Sequence, residues 1–187
     1  MHTDKNRYGQ KTIKTRDLTY IAFCVVLMAI CAWMTIPVGI PLTMQVFAVA
    51  FTAAFLGGKR GLIAVIVYIL MGAIGLPVFS GMNGGFGVLL GNTGGYIIGY
   101  IFMVLVMWLM EKLCPKLKNR ILISMILGLC VCYIFGTALF IVVYTKNTAA
   151  VGIGAALAWC VWPYVIPDIA KLVLANLMCK RLKKWAI

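Results

Sequence analysis

A carboxylate and an ammonium stand three residues apart in the stretch P-Y-V-I-P-D-I-A-K-L-V at 163–173, with apolar residues around them. At that spacing Asp168 and Lys171 share one face of a helix. A charge inside a membrane span is costly, is usually paired, and is by default a functional feature. Two readings are open. The pair could be a private ion bridge that fixes helix packing. Or it could be two halves of a ligand site, the ammonium meeting an acid group and the carboxylate meeting N–H donors.

Two more stretches could supply such a site. Residues 79–95 read F-S-G-M-N-G-G-F-G-V-L-L-G-N-T-G-G, with seven glycines. Within them G-M-N-G-G-F at 81–86 is echoed by G-N-T-G-G-Y at 91–96. Glycine allows close backbone approach, and irregular backbone at membrane depth is tolerated where it is buried or lines a cavity. Gln45, in P-L-T-M-Q at 41–45, falls near the end of another apolar run, and a buried amide must find partners. If these regions converge, the pocket offers Lys171, Asp168, Asn83 and Gln45, with Phe86, Tyr96 and Trp162 as apolar walls. The implied ligand is small, monoanionic and partly apolar.

Other chemistries lack their residues. A membrane enzyme using Asp168 as a base needs a second group within hydrogen-bond reach. The other acids do not offer one: Glu111 falls at a cytoplasmic edge, Asp17 at the inner start of the first span, and Asp4 in a polar tail. His2 is the lone histidine, no CxxC occurs, and Cys130–Cys132 is an isolated CxC, so no metal-ligand set is expected. Cys24, Cys31, Cys114, Cys160 and Cys179 fall mostly within apolar runs, where cysteine acts as a small hydrophobe. There is no GxxxxGK[ST], and G-G-K-R at 57–60 reads as a turn, so the chain is not expected to hydrolyse ATP or to hold a cofactor.

The elements that must position these groups are membrane helices. Of the 187 residues 64% are hydrophobic and 11% charged, whereas soluble domains are about half apolar and a quarter charged. The apolar runs predict spans over 18–36, 42–56, 62–76, 94–110 and 121–144. Residues 149–179 are longer than the roughly 20 residues one span needs. Their surplus, 149–162, is expected to lie along the outer interface or fold back. Trp159, Trp162 and Tyr164 suit such an interface. The sixth span is then expected to start near Pro163 or Pro167.

Charge sets the orientation. Lys5, Arg7, Lys11, Lys14 and Arg16 precede the first span, and Lys59 and Arg60 follow the second. Lys112, Lys116, Lys118 and Arg120 follow the fourth, and Lys180, Arg181, Lys183 and Lys184 follow the sixth. The opposite side carries only Lys146, and Lys171 is within a span. Basic loops face the cytoplasm. The expected fold class is therefore an all-α membrane protein, a six-transmembrane-helix bundle with both termini cytoplasmic. It has a tail at 1–17, a single membrane domain at 18–179 and a tail at 180–187. The formal net charge of +13 marks this sidedness rather than a nucleic-acid surface. The N-terminus does not read as a cleavable signal, because its basic stretch and apolar run are both too long.

Four motifs resemble one known family. P-L-T-M-Q at 41–45, G-A-I-G-L-P-V-F at 72–79, G-V-L-L-G-N-T-G-G-Y at 87–96 and P-D-I-A-K at 167–171 occur in the order and spacing of the BioY family. Those proteins are the biotin-specific substrate-binding (S) components of energy-coupling factor (ECF) transporters. The resemblance covers roughly residues 18–180. It implies a biotin pocket near the outer face, with Asp168 and Asn83 on the ureido ring and Lys171 on the valerate carboxylate. Gln45 and Thr43 would belong to the loop and helix start that cover it. It further implies a bacterial plasma-membrane location and docking on a transmembrane scaffold subunit driven by two ATPases. The family's spacing of small residues four apart on the first helix is not kept, since Ala22 is followed by Val26 and Ala29 by Trp33. A self-sufficient biotin carrier and a ligand-free packing protein are the alternatives to ATP-driven uptake.

Overall fold

The computed structural model describes residues 15–36, 41–117, 119–148 and 150–186. Most of the expected basic N-terminal tail, residues 37–40 of the loop after the first span, and Lys118 therefore lie outside the described residues. The described chain is mainly helical: α1 Thr15–Trp33, α2 Gln45–Leu56, α3 Gly58–Ala73, α4 Phe86–Leu90, α5 Gly94–Leu113, α6 Arg120–Asn147, α7 Ile153–Cys160 and α8 Trp162–Ala186. Two short strands, β1 Thr35–Ile36 and β2 Leu42–Thr43, pair antiparallel with Thr35 opposite Thr43. By length and apolar composition three helices could cross a membrane, α1, α5 and α6, and a fourth if α7 and α8, bent by 42°, make one span.

Helix α2 is the centre of the bundle. It packs against α1, α3, α5, α6 and α8, and every residue of it but Phe55 is buried. A helix apolar on all sides belongs inside other helices. Phe47, Phe51 and Phe55 stack along one side at centroid spacings of 6.1 and 5.4 Å. The most extensive pairing is α5 with α6. Gly95 and Gly99 of α5 meet Gly136 and Cys132 of α6, and Gly128 of α6 meets Met103. A Cβ on Gly136 would lie 2.3 Å from the Tyr96 ring. Small residues at four-residue spacing let helix backbones approach closely, which is how helices bind one another where water gives no hydrophobic drive.

Helix ends differ from the apolar pattern for local reasons. Helix α1 stops at Trp33, short of the expected Ile36, because the residue before a proline is driven to extended backbone and Ile36 precedes Pro37. Thr35 then caps the end, its hydroxyl donating to the Ala32 carbonyl at 2.6 Å. Helix α3 begins at Gly58, ahead of the expected Leu62. Gly57 makes the turn with φ of +81°, and the Glu111 carboxylate accepts the Gly58 N–H at 2.8 Å. It ends in a Schellman turn: Leu76 N–H reaches the Met71 carbonyl, Gly75 N–H reaches the Gly72 carbonyl, and Gly75 takes φ of +103°. Helix α8 starts at Trp162 with Pro163 in its first turn, close to expectation, but runs on through the basic residues at 180–184. The surplus before it forms α7, a separate short helix.

At the end of the bundle holding the α2–α3 turn, Arg60 bridges Asp17 at 2.8 Å. Lys112 lies 4.5 Å above the Trp108 ring there, the same ring that a Cβ on Gly58 would strike. The opposite end holds the β1–β2 pair and the glycine-rich stretch. Trp33 Nε1 donates to the Pro77 carbonyl at 2.7 Å, and the Thr35 and Ser80 hydroxyls lie 3.0 Å apart.

Candidate ligand-binding site

A cavity of about 150 Å³ opens at that second end, among α2, α5, α6, α8 and the loop at 79–83. Asp168 and Lys171 line it. Both are on α8, 3% and 8% exposed. Lys171 Nζ donates to Asp168 Oδ1 at 2.7 Å and to the Thr43 carbonyl at 2.8 Å. An ammonium has three donors, so one proton remains. Asp168 Oδ2 accepts the Tyr133 hydroxyl at 2.6 Å. Each carboxylate oxygen thus has one partner and a free lone pair.

Gln45 forms the other polar wall. Thr43 Oγ1 accepts the Gln45 backbone N–H at 3.3 Å and donates to Gln45 Oε1 at 3.1 Å, tying the side chain to the start of α2. Gln45 Nε2 donates to the Tyr68 hydroxyl at 2.6 Å, and that hydroxyl donates to the Val78 carbonyl at 2.9 Å. Because Tyr68 spends its only proton on Val78, it must accept from Gln45, which fixes which end of the amide faces it. Tyr100 donates weakly to Gln45 Oε1 at 3.4 Å. The amide keeps one N–H uncommitted.

Asn83 lines the cavity from a tight loop closed by the Phe79 N–H on its carbonyl at 2.9 Å. Its Nδ2 donates one N–H to the Ser80 carbonyl at 2.8 Å, which leaves the second N–H and the Oδ1 acceptor. Gly81 and Met82 hold this loop at φ of +69° and +58°, and Gly84 sits so tightly that a Cβ would lie 2.3 Å from the Leu76 carbonyl oxygen. Tyr96 also lines the cavity, its hydroxyl 3.0 Å from that of Thr137. Val88, Ile97 and Leu129 add apolar wall.

Six of the seven expected site residues therefore surround one cavity: Asp168, Lys171, Asn83, Gln45, Thr43 and Tyr96. Phe86 does not; it opens α4, is 63% exposed and is outside the lining, as is Trp162, 73% exposed. The repeated Gly-x-x-Gly-Gly-aromatic pattern treats Phe86 and Tyr96 alike. Yet Tyr96 is on a helix packed against α6 and Phe86 begins a five-residue helix. Tyr68, Tyr100 and Tyr133 were not singled out by the sequence reading. Their signal is a hydroxyl in the middle of an apolar run, which must find a partner when buried.

No group of three or more metal ligands occurs among the described residues. Apolar helices around a small cavity lined by a paired carboxylate and ammonium and by side-chain amides suit a membrane solute-binding protein. The comparisons agree. A family model described as the BioY family matches residues 4–187, and the chain belongs to that family. It is 38% identical over 173 residues to the biotin transporter BioY of Thermotoga maritima, covering 92% of this chain and 98% of that one. It is 33% identical over 172 residues to a probable biotin transporter BioY of Pyrococcus horikoshii, covering 91% and 98%. Its fold is similar to the 2.1 Å crystal structure of the S-component for biotin from an ECF-type ABC transporter. That match has a TM-score of 0.80 and 26% identity, over 94% of each chain. The family is one of transport proteins, not enzymes.

Proposed function

We propose that the chain captures biotin as the substrate-binding component of an ATP-driven ECF uptake system in a bacterial plasma membrane. In this reading residues 18–179 form one membrane domain of six crossings: α1, α2, α3, α5, α6 and α8. Both ends are cytoplasmic, as the basic residues at the Asp17–Arg60 end favour. The cavity then opens near the outer face. Lys171 takes the valerate carboxylate with its remaining proton. Asp168 and Asn83 Oδ1 accept from the ureido N–H groups, and Gln45 offers its free N–H to the ureido oxygen. Thr43 holds Gln45 and Lys171 in place, and Tyr96 adds aromatic wall. The scaffold subunit and two ATPases supply the energy. The observation that carries this reading is the buried Asp168–Lys171 pair on a cavity wall, beside a committed Gln45 amide, in a chain similar to biotin transporters.

The bonds the pair already makes, to the Tyr133 hydroxyl and the Thr43 carbonyl, support a second reading, in which it only locks α8 to α6 and to β2. Calorimetry of biotin binding to the purified chain in detergent decides between them. Tight binding that Lys171→Ala abolishes for biotin, but weakens far less for its neutral amide, is the expected result. No binding to folded protein, or equal small losses for both ligands, overturns the proposal in favour of packing alone. Biotin uptake by cells expressing the chain, with and without the scaffold and ATPases, tests the partners. Undiminished uptake without them would make it a self-sufficient carrier.

A further inference from the structure

Among the described residues Tyr133 is the one group from another helix bonded to the Asp168 side chain, 2.6 Å from hydroxyl to Oδ2. It comes from α6 and lines the cavity. Lys171, three residues along α8, holds Oδ1 at 2.7 Å. A carboxylate gripped at one oxygen can still roll about its own bond. Gripped at both oxygens, by α6 and by α8, it cannot. The roll decides where its remaining lone pairs point. The Tyr133 hydroxyl has a single proton and spends it on Asp168, so toward a ligand its oxygen can only accept.

We propose that Tyr133 is a positioning residue for Asp168 and a determinant of ligand selectivity. It fixes the roll of the carboxylate. Together the two groups make a wall that only accepts, so a head group bearing N–H donors is selected and one with those donors blocked is rejected. The inference rests on the biotin reading and goes beyond it by assigning the discrimination between donor-bearing and donor-blocked ligands to a residue on α6.

The test is calorimetry on the full chain in detergent with three probes: biotin, biotin amide, and biotin methylated on a ureido nitrogen. Tyr133→Phe keeps the ring and removes the hydroxyl. It should weaken biotin by about tenfold to a hundredfold, the range for a hydrogen bond to a charged group. It should shrink the preference for biotin over the methylated probe by a similar factor. The preference for biotin over its amide, which Lys171 sets, should stay as in wild type. In an Asp168→Asn background the same substitution should change affinity less than about threefold, because interacting residues are not additive. A loss equal for biotin and the methylated probe, or one that persists undiminished in Asp168→Asn, overturns the assignment. Should Tyr133→Phe not fold, wild type still decides: equal affinity for biotin and the methylated probe refutes the acceptor wall. Wild type that binds no biotin refutes the biotin reading itself, a result distinct from a Tyr133 effect that fails while binding stays tight.

Discussion

Replacing both members of the Asp168–Lys171 pair should harm the fold less than replacing either one. At 2.7 Å the attraction is about 6 kcal/mol for an effective dielectric of about 20. Desolvation costs several kcal/mol per ion and offsets most of it. Lys171→Met leaves a carboxylate 3% exposed with Tyr133 as its one side-chain partner among the described residues, and also orphans the Thr43 carbonyl. Asp168→Leu leaves an ammonium 8% exposed with only that carbonyl. Each single change should cost about 3–5 kcal/mol, the usual result of stranding a buried charge. The double variant strands no charge. It leaves the Tyr133 hydroxyl and the Thr43 carbonyl unpaired, for about 2–4 kcal/mol in all. Equilibrium unfolding of the ligand-free protein in mixed detergent micelles should therefore show a double variant several kcal/mol more stable than the sum of the singles implies. Biotin binding should stay lost in all three. Strict additivity would refute the pairing argument, and recovered binding would refute the ligand role of both residues.

Gly136→Val should destabilise by about 1–3 kcal/mol, as overpacking does, and should weaken ligand binding as well, because the clash is with Tyr96 on the cavity wall. Unfolding and calorimetry read the two effects separately, and Ala at this position should show a smaller version of both. In a cysteine-free background, Asn147→Cys should react with an impermeant maleimide on intact cells and Asn119→Cys only after permeabilisation. The reverse pattern would invert the proposed topology.

The helices themselves were legible because the apolar runs are long and the basic residues fall on one side. Asp168, Lys171 and Gln45 were legible because polar groups in such runs require a reason. What stayed hidden was pairing between distant segments. Nothing local to Tyr133 says that it meets Asp168, and nothing local to Gly58 says that Glu111 caps it. The Gly95–Gly99 spacing on α5 is readable as a close-packing surface, but nothing local to it says that α6 is its partner. Phe86 was misplaced because a sequence echo carries no orientation, whereas burial of Tyr96 against α6 does.

Helix α2 has a consequence for the membrane itself. Its 12 residues rise about 18 Å, against a hydrocarbon layer of about 30 Å. A lipid-facing helix so short would have to thin the bilayer around it. Since α2 packs against five other helices and all of it but Phe55 is buried, in the proposed topology lipid would scarcely meet it and the mismatch would not be felt. In the proposed topology, with its lower end at the basic Lys59–Arg60 turn, its upper end would stop about 12 Å inside the hydrocarbon layer. Gln45, at that end, and the cavity it lines would then sit at the foot of a well open to the outer face. The length of that shielded internal strut does not change with the lipid, so the well should deepen in a thick bilayer and become shallower in a thin one.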